Sequence, residues 1–302
     1  MATPVSIPLA HTAFSLQSAA NGTPAATRAT PDLFLDRPGG RLAYTDEGNG
    51  PLVVMAPGFG DFKEEYRFLA PKLAAAGYRA VTMDLRGHGQ SSVGWEDHSC
   101  AALGGDMLAL TAHLDAGPAI LIGNSISGGA AAWAAAEAPD LVAGLVLIDP
   151  FARNVPISWW KAALFKAVMH TAFVGPWAPA AWAGYYASLY PTQKPADFAD
   201  YKARLVASLR EPGRMAALQA MMRTGREDVE PRLGAIRAPT LVVMGSRDPD
   251  FDDPAAEAAT MAGLVHGKVA MIDGAGHYPH AEMPEVTAPA ILAFLAETVG
   301  AR

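Results

Sequence analysis

The sequence predicts an α/β fold, a mostly parallel sheet covered by helices on both faces, with a helical block inserted late in the chain. Two observations carry the sheet. Pro51–Ala56, Tyr78–Met83, Pro118–Ile122, Gly144–Ile148, Thr240–Met244 and Lys268–Ile272 are short apolar runs with the length and β-branched content of buried strands. Helical patterns near 63–76, 99–114, 128–137, 254–264 and 285–298 separate them. Continuous apolar strands alternating with helices belong in a parallel sheet with right-handed crossovers. Arg41–Thr45 is expected to begin an antiparallel edge hairpin before the parallel part.

The third observation is a break in this rhythm after Pro150. Residues 151–236 hold no convincing strand but four helical patterns, near 157–172, 177–189, 195–209 and 212–224, parted by Gly175-Pro176, Pro191 and Pro212-Gly213. The strand pattern resumes at Pro239. The expected organisation is a core of 31–150 and 237–302 with a cap of 151–236. Residues 1–30, rich in Ala, Thr, Ser and Pro, read as a flexible leader. The uncharged stretch Ala167–Tyr190 is divided by Pro176, Pro179 and Gly184, which suits two short buried helices better than a membrane span.

Composition narrows the function. In 302 residues, 51% are hydrophobic, enough for a core that needs no metal or disulfide. Cys100 is the single cysteine, so no internal disulfide can form. With a formal net charge of -7 and no basic run, the chain offers no nucleic-acid surface. The N-terminus lacks the basic start and apolar run of a secretory signal, so a cytoplasmic location is expected. The sequence does not fix the oligomeric state, and a homodimer is one expectation.

The chemistry begins at Leu121-Ile-Gly-Asn-Ser-Ile-Ser-Gly-Gly-Ala130, which resembles the G-x-S-x-G elbow that sets a nucleophilic serine on a sharp strand-to-helix turn. Gly123 precedes Ser125 as the turn requires. Ser127 stands where the second glycine is usual, small enough to fit, and is itself a rival nucleophile in a looser frame. A serine hydroxyl needs a base, usually histidine, oriented by a carboxylate. Asp248, in Gly245-Ser-Arg-Asp-Pro249, and His277, in Asp273-Gly-Ala-Gly-His-Tyr-Pro279, follow strands in the order Ser, Asp, His. Loops at the carboxyl ends of parallel strands are where open sheets assemble sites. Asp149, Asp250, Asp252 and Asp253 are rivals for the acid, and His280 for the base. A metal site of His277, His280 and Glu282 is weakly supported, because one loop does not fix their spacing. The oxyanion donors should be the backbone N–H groups of Ile126 and of Phe59, the latter in Pro57-Gly-Phe-Gly-Asp61.

Pro57-Gly-Phe-Gly60, Asp84-Leu-Arg-Gly-His-Gly-Gln-Ser91, Gly123–Gly128, Gly245-Ser-Arg-Asp248 and Gly276-His277 together resemble the α/β-hydrolase superfamily, serine-nucleophile branch with a helical lid. The match covers roughly residues 40 to 300 outside the lid. It implies the α/β-hydrolase fold and a catalytic triad of Ser125, Asp248 and His277. It also implies that Asp84–Ser91, His88 included, is a structural turn. Serine at the elbow argues against epoxide hydrolases and haloalkane dehalogenases, which use aspartate there. Asn124 is similar to the elbow of meta-cleavage-product C–C hydrolases, but Pro57-Gly58 departs from their His-Gly loop. The expected activity is hydrolysis of a carboxylic ester or lactone of a hydrophobic small molecule, without metal or organic cofactor. Alternatives are C–C bond hydrolysis, a ligand sensor, or a biosynthetic acyl transfer or cyclisation. Trp159, Trp160, Phe173, Trp177 and Tyr185 are the expected substrate contacts in the aromatic-rich cap.

Overall fold

A strand that is apolar along its whole length must be covered on both faces, and four such strands lie side by side. They are β3 (Leu52–Ala56), β5 (Ala119–Asn124), β6 (Val142–Ile148) and β7 (Thr240–Gly245), buried from end to end. The computed structural model describes residues 31–154 and 171–300. β1 (Leu33–Arg37), β2 (Gly40–Glu47), β4 (Arg79–Met83) and β8 (Lys268–Ile272) complete one eight-stranded sheet of order β1-β2-β4-β3-β5-β6-β7-β8. β2 runs antiparallel to β1 and β4, and β3 to β8 are parallel neighbours. The expected hairpin is present, although Leu33–Arg37 did not read as a strand. β8 departs from the buried strand expected: it is an edge, with Val269 and Met271 exposed.

Alternation along the strands sends side chains to two cores. Val54, Leu121, Leu147 and Val242 face one cluster with Leu103, Met107, Ala130 and Met261. Those four residues belong to helices α2 (Cys100–Leu114), α3 (Ile126–Glu137) and α7 (Pro254–Leu264). Val53, Ile122, Val146 and Val243 face the other, with Leu73 of α1 (Ala70–Ala75) and Ile291 of α9 (Pro284–Gly300). Local signals set the helix starts. Ser99 caps α2 by accepting the Ala102 N–H at 3.2 Å, and Asp253 caps α7 through the Ala256 N–H at 3.0 Å.

The expected helix at 63–76 is instead a 3₁₀ turn, Lys63–Tyr66, followed by α1. Pro71 lies in the first turn of α1, where its missing N–H costs nothing; deeper in one long helix its ring would clash with the preceding turn. Between β6 and β7 the described residues hold no strand but include three α-helices, α4 (Ala178–Ser188), α5 (Phe198–Leu209) and α6 (Arg214–Met222), and a 3₁₀ turn, Glu230–Ala235. The three α-helices share a third cluster that includes Phe173, Trp182, Tyr186, Tyr201 and Leu218 and reaches Tyr278 and Ala281 around the short helix α8 (Pro279–Glu282). The first expected helix of this block, with Trp159 and Trp160, lies outside the described residues. No helix among the described residues is long and apolar enough to cross a membrane.

Candidate active site

The turn from β5 into α3 is tight enough to dictate its residues. Ser125 has φ 56° and ψ −121°, a backbone state that L-residues rarely occupy without compensating structure. A Cβ on Gly123 would lie 2.1 Å from the Ser127 carbonyl oxygen, and one on Gly128 would lie 2.7 Å from Pro150 Cβ. Ser127, the departure from the usual pattern, has a separate task. Its Oγ donates to the Pro57 carbonyl at 2.5 Å and so ties the elbow to the Pro57–Gly60 loop. Ser125 Oγ is buried and has no hydrogen-bond partner among the described residues.

Asp248 and His277 are brought together from the loops after β7 and β8. His277 Nδ1 and Asp248 Oδ2 are 2.6 Å apart, with both side chains buried. These loops approach so closely that a Cβ on Gly245 would lie 2.1 Å from the Gly276 carbonyl oxygen. The His277 N–H donates to the Leu189 carbonyl at 3.0 Å. Asn124 Nδ2 donates to the carbonyls of His277, at 3.0 Å, and Ile148, at 3.2 Å, which fixes the histidine loop to the elbow. Burial works against the imidazolium. The Asp248 carboxylate and its hydrogen bond, with Asp250 and Glu65, outweigh it and raise His277 to about 9. Asp248 is penalised by burial in turn, but His277 pulls its pKa below the ordinary value.

The rivals have other partners. Asp250 Oδ2 accepts from Tyr185 Oη at 2.7 Å and stands 3.7 Å from His277 Nδ1. His280 Nε2 is 2.8 Å from Glu65 Oε1. Glu282 accepts the N–H groups of Gly276, Thr192 and Gln193. His277, His280 and Glu282 therefore do not converge on one point. Asp149 is buried beside Asp248 and accepts the Gly245 N–H at 2.9 Å. Asp84 and His88 behave as turn residues: Asp84 accepts from Lys63 N, Lys63 Nζ and Gln90 N, and His88 Nδ1 meets the Arg86 carbonyl.

The Pro57–Gly60 loop is held from below. The Gly58 N–H donates to Glu65 Oε2 at 2.8 Å. Gly60 has φ 75°, and Trp182 leaves no room there for a Cβ. The Phe59 ring is 5.2 Å from that of Trp182, while the Phe59 N–H has no acceptor among the described residues. Burial raises Glu65 to about 8 and, with the Glu65 charge, Asp61 to about 7; burial lowers His280 to about 3 and His88 to about 4.

These shifts give stability a pH profile. Glu65, Asp61 and His277 have raised pKa values, so their contributions are full below their unfolded values and are lost as pH rises through the folded ones. His280 and His88 are lowered, so theirs are lost as pH falls below the ordinary histidine value. Between about pH 4.5 and 6.5 the two sets oppose each other; above about 6.5 only the losses remain. Burial raises Asp84 to about 6 and also raises Asp149, and both add to the losses, so the thermal midpoint is expected to fall gently across the first interval and more steeply from there toward pH 9, as scanning calorimetry in matched buffers would read. A midpoint rising from pH 7 to 9 would contradict these assignments.

Of the expected substrate contacts, Phe173 is buried against Trp182 and Tyr185. Tyr185 is half-buried and committed to Asp250. Trp177 does not join the aromatic cluster: it is 56% exposed, and its Nε1 donates to the Thr171 carbonyl. Phe59 packs against the cluster that holds Trp182, Tyr186, Tyr201 and Tyr278, with Trp182 in ring contact with it. Asp61, buried and bonded to Tyr201 Oη at 2.5 Å, and Glu65 were not visible as site residues. Two acids in a loop next to a helical pattern look like solvated surface, and nothing local marks them as buried.

Residues 53–290 match the model of the alpha/beta hydrolase family. The chain belongs to that family. This hydrolase is 27% identical over 267 residues to 2-(acetamidomethylene)succinate hydrolase of Mesorhizobium japonicum, covering 84% of this chain and 91% of the relative. Among solved structures it is similar to a thermophilic esterase from Thermogutta terrifontis in a malate-bound form. That match has a TM-score of 0.72 and 26% identity, over 89% of this chain and 99% of the other. A structure of E-2-(acetamidomethylene)succinate hydrolase aligns with a TM-score of 0.71 and 26% identity, over 88% of this hydrolase and 99% of that chain.

Proposed function

We propose that this hydrolase cleaves a carboxylic ester or lactone of a hydrophobic small molecule through an acyl-enzyme on Ser125. The observation that carries the reading is the 2.6 Å Asp248–His277 pair, locked by Asn124 to the elbow that presents a strained, buried Ser125. Ser125 Oγ attacks the acyl carbonyl. His277 accepts its proton and returns it to the leaving alcohol, and Asp248 holds the tautomer and stabilises the imidazolium. The N–H groups of Ile126 and Phe59 receive the oxyanion. Water then attacks the acyl-enzyme with His277 again as base. Residues 151–236 serve as a cap, and their aromatic cluster beside Phe59 suits an apolar acyl group. Relatives named as an esterase and an amide-bearing succinate hydrolase agree with attack on a carbonyl.

The base must be neutral to act, so kcat/KM on short nitrophenyl esters is expected to rise with pH along a limb governed by His277, on the alkaline side of an ordinary histidine. A rate independent of pH between 6 and 9 would contradict the assignment. Glu65 should matter through the loop it holds. In Glu65→Leu the Gly58 N–H and His280 lose a buried partner, a loss of about 1–3 kcal/mol for each orphaned group. The expected result is a kcat at least about tenfold lower with little change in KM, the signature of an interaction made in the transition state. Glu65→Gln keeps an acceptor for Gly58 and should recover most of that loss.

A further inference from the structure

Asp149 follows β6 directly, with φ 42°, and its side chain is fully buried. Oδ1 accepts the Gly245 N–H at 2.9 Å. Oδ2 is buried, and no group among the described residues donates to it. One oxygen of Asp149, one of Asp248 and a ring nitrogen of His277 lie within 4.8 Å of one another. Asp248 is already engaged, through Oδ2 with His277 and through Oδ1 with the Asp250 N–H at 2.9 Å. Asp250 is engaged with Tyr185 Oη.

The groups facing this point are Asp248 and Asp250 from the loop after β7, His277 from the loop after β8, and Tyr185 from α4. Three carboxyls thus share one imidazole in a dry site. Were all three ionised, at least two negative charges would be buried without a compensating cation even with His277 protonated, an arrangement that proteins relieve by binding a proton. A proton on Asp149 also turns its orphan oxygen into a donor facing the Asp248 carboxylate.

We propose that Asp149 is held as a neutral carboxylic acid that donates a hydrogen bond to the Asp248 carboxylate, and so acts as a positioning residue for the Asp248–His277 pair. Burial and the Asp248 charge push its pKa well above the ordinary carboxylate value, in the direction required. The bond spreads charge away from the Asp248 oxygen that meets His277, so it moderates the rise in the imidazole pKa. The kinetic consequence rests on the reading of His277 as the base; the protonation state does not.

Two measurements on the full chain test this. The infrared difference spectrum of wild type minus Asp149→Asn at neutral pH should contain the carbonyl stretch of a protonated carboxylic acid. Were Asp149→Asn not to fold, wild type minus Asp149→Leu should show the same band, because that variant also removes the carboxylic acid. In kinetics on a nitrophenyl ester, Asp149→Asn keeps a donor toward Asp248 and should leave the rising pH limb in place. Asp149→Leu removes the donor and should move the limb to higher pH. An ionised Asp149 gives the opposite sign: Asp149→Asn would remove a negative charge near His277, and the limb would move down by about one pH unit or more. That shift, or an infrared difference without the band, overturns the proposal. Undiminished turnover in Ser125→Ala would sink the serine mechanism while leaving the infrared answer standing.

Discussion

Ser125→Ala is expected to lower kcat on a short nitrophenyl ester by a factor on the order of 10⁴ or more, since removing one member of such a triad removes most of what the members do together. The protein should stay folded, because alanine deletes one oxygen that has no hydrogen-bond partner among the described residues. The informative contrast is Ser127→Ala. Ser127 holds the Pro57 carbonyl, and its loss should cost about 1 kcal/mol of stability and a modest fraction of kcat. Equal losses in the two variants would mean that the elbow, not the Ser125 hydroxyl, is what the activity depends on. A larger loss at Ser127 would make it the nucleophile.

Gly123→Ala should be among the most destabilising single methyl additions in this site. The new Cβ would sit 2.1 Å from the Ser127 carbonyl oxygen and 2.6 Å from the Gly128 nitrogen, backbone atoms that cannot swing aside as a side chain can. Relief requires reopening the turn that presents Ser125, so stability and activity should fall together. We expect a loss of more than about 3 kcal/mol in denaturant unfolding, at the upper end of what overpacking costs. Gly184→Ala in α4 is the control. A Cβ there meets nothing within 4 Å, so the protein should gain about 0.5–1 kcal/mol from the better helix former. If Gly123→Ala unfolds like wild type, the elbow is more plastic than its geometry implies.

How much of this was legible in the sequence depended on whether the physical cause was local. β3, β5, β6 and β7 were readable because complete burial demands unbroken apolar runs. The turn at Ser125 was readable because its crowding permits only small neighbours. The approach of Asp248 to His277 was readable because the sheet fixes where strand-end loops meet. β8 misled for a related reason: Val269 and Met271 give an edge strand the look of a buried one, and sequence carries no mark of being last in the sheet. Leu33–Arg37 was missed because Asp36 and Arg37 mask a strand half open to solvent. Trp177 was placed in the pocket by composition alone, yet its exposure depends on how α4 begins.

The polar frame of the site was the least legible part. Glu65 contacts Gly58 and His280, which are 7 and 215 residues away, and Asp61 reaches across 140 residues to Tyr201. Such pairs leave no periodic trace. They matter because the Phe59 N–H can serve an oxyanion only if the loop beneath it is rigid, and this loop is held at Pro57 by Ser127, at Gly58 by Glu65 and at Gly60 by Trp182. The proposed oxyanion donor therefore depends on contacts that only the folded chain brings together.

The central claim is that Ser125 forms the covalent intermediate, activated by His277 and Asp248. Its most direct test is to inactivate the protein with a fluorophosphonate and locate the adduct by mass spectrometry of its peptides. The account predicts a single adduct on Ser125, formed in step with loss of ester hydrolysis and strongly slowed in His277→Ala. An adduct on Ser127, or full ester turnover with Ser125 unmodified, would contradict it.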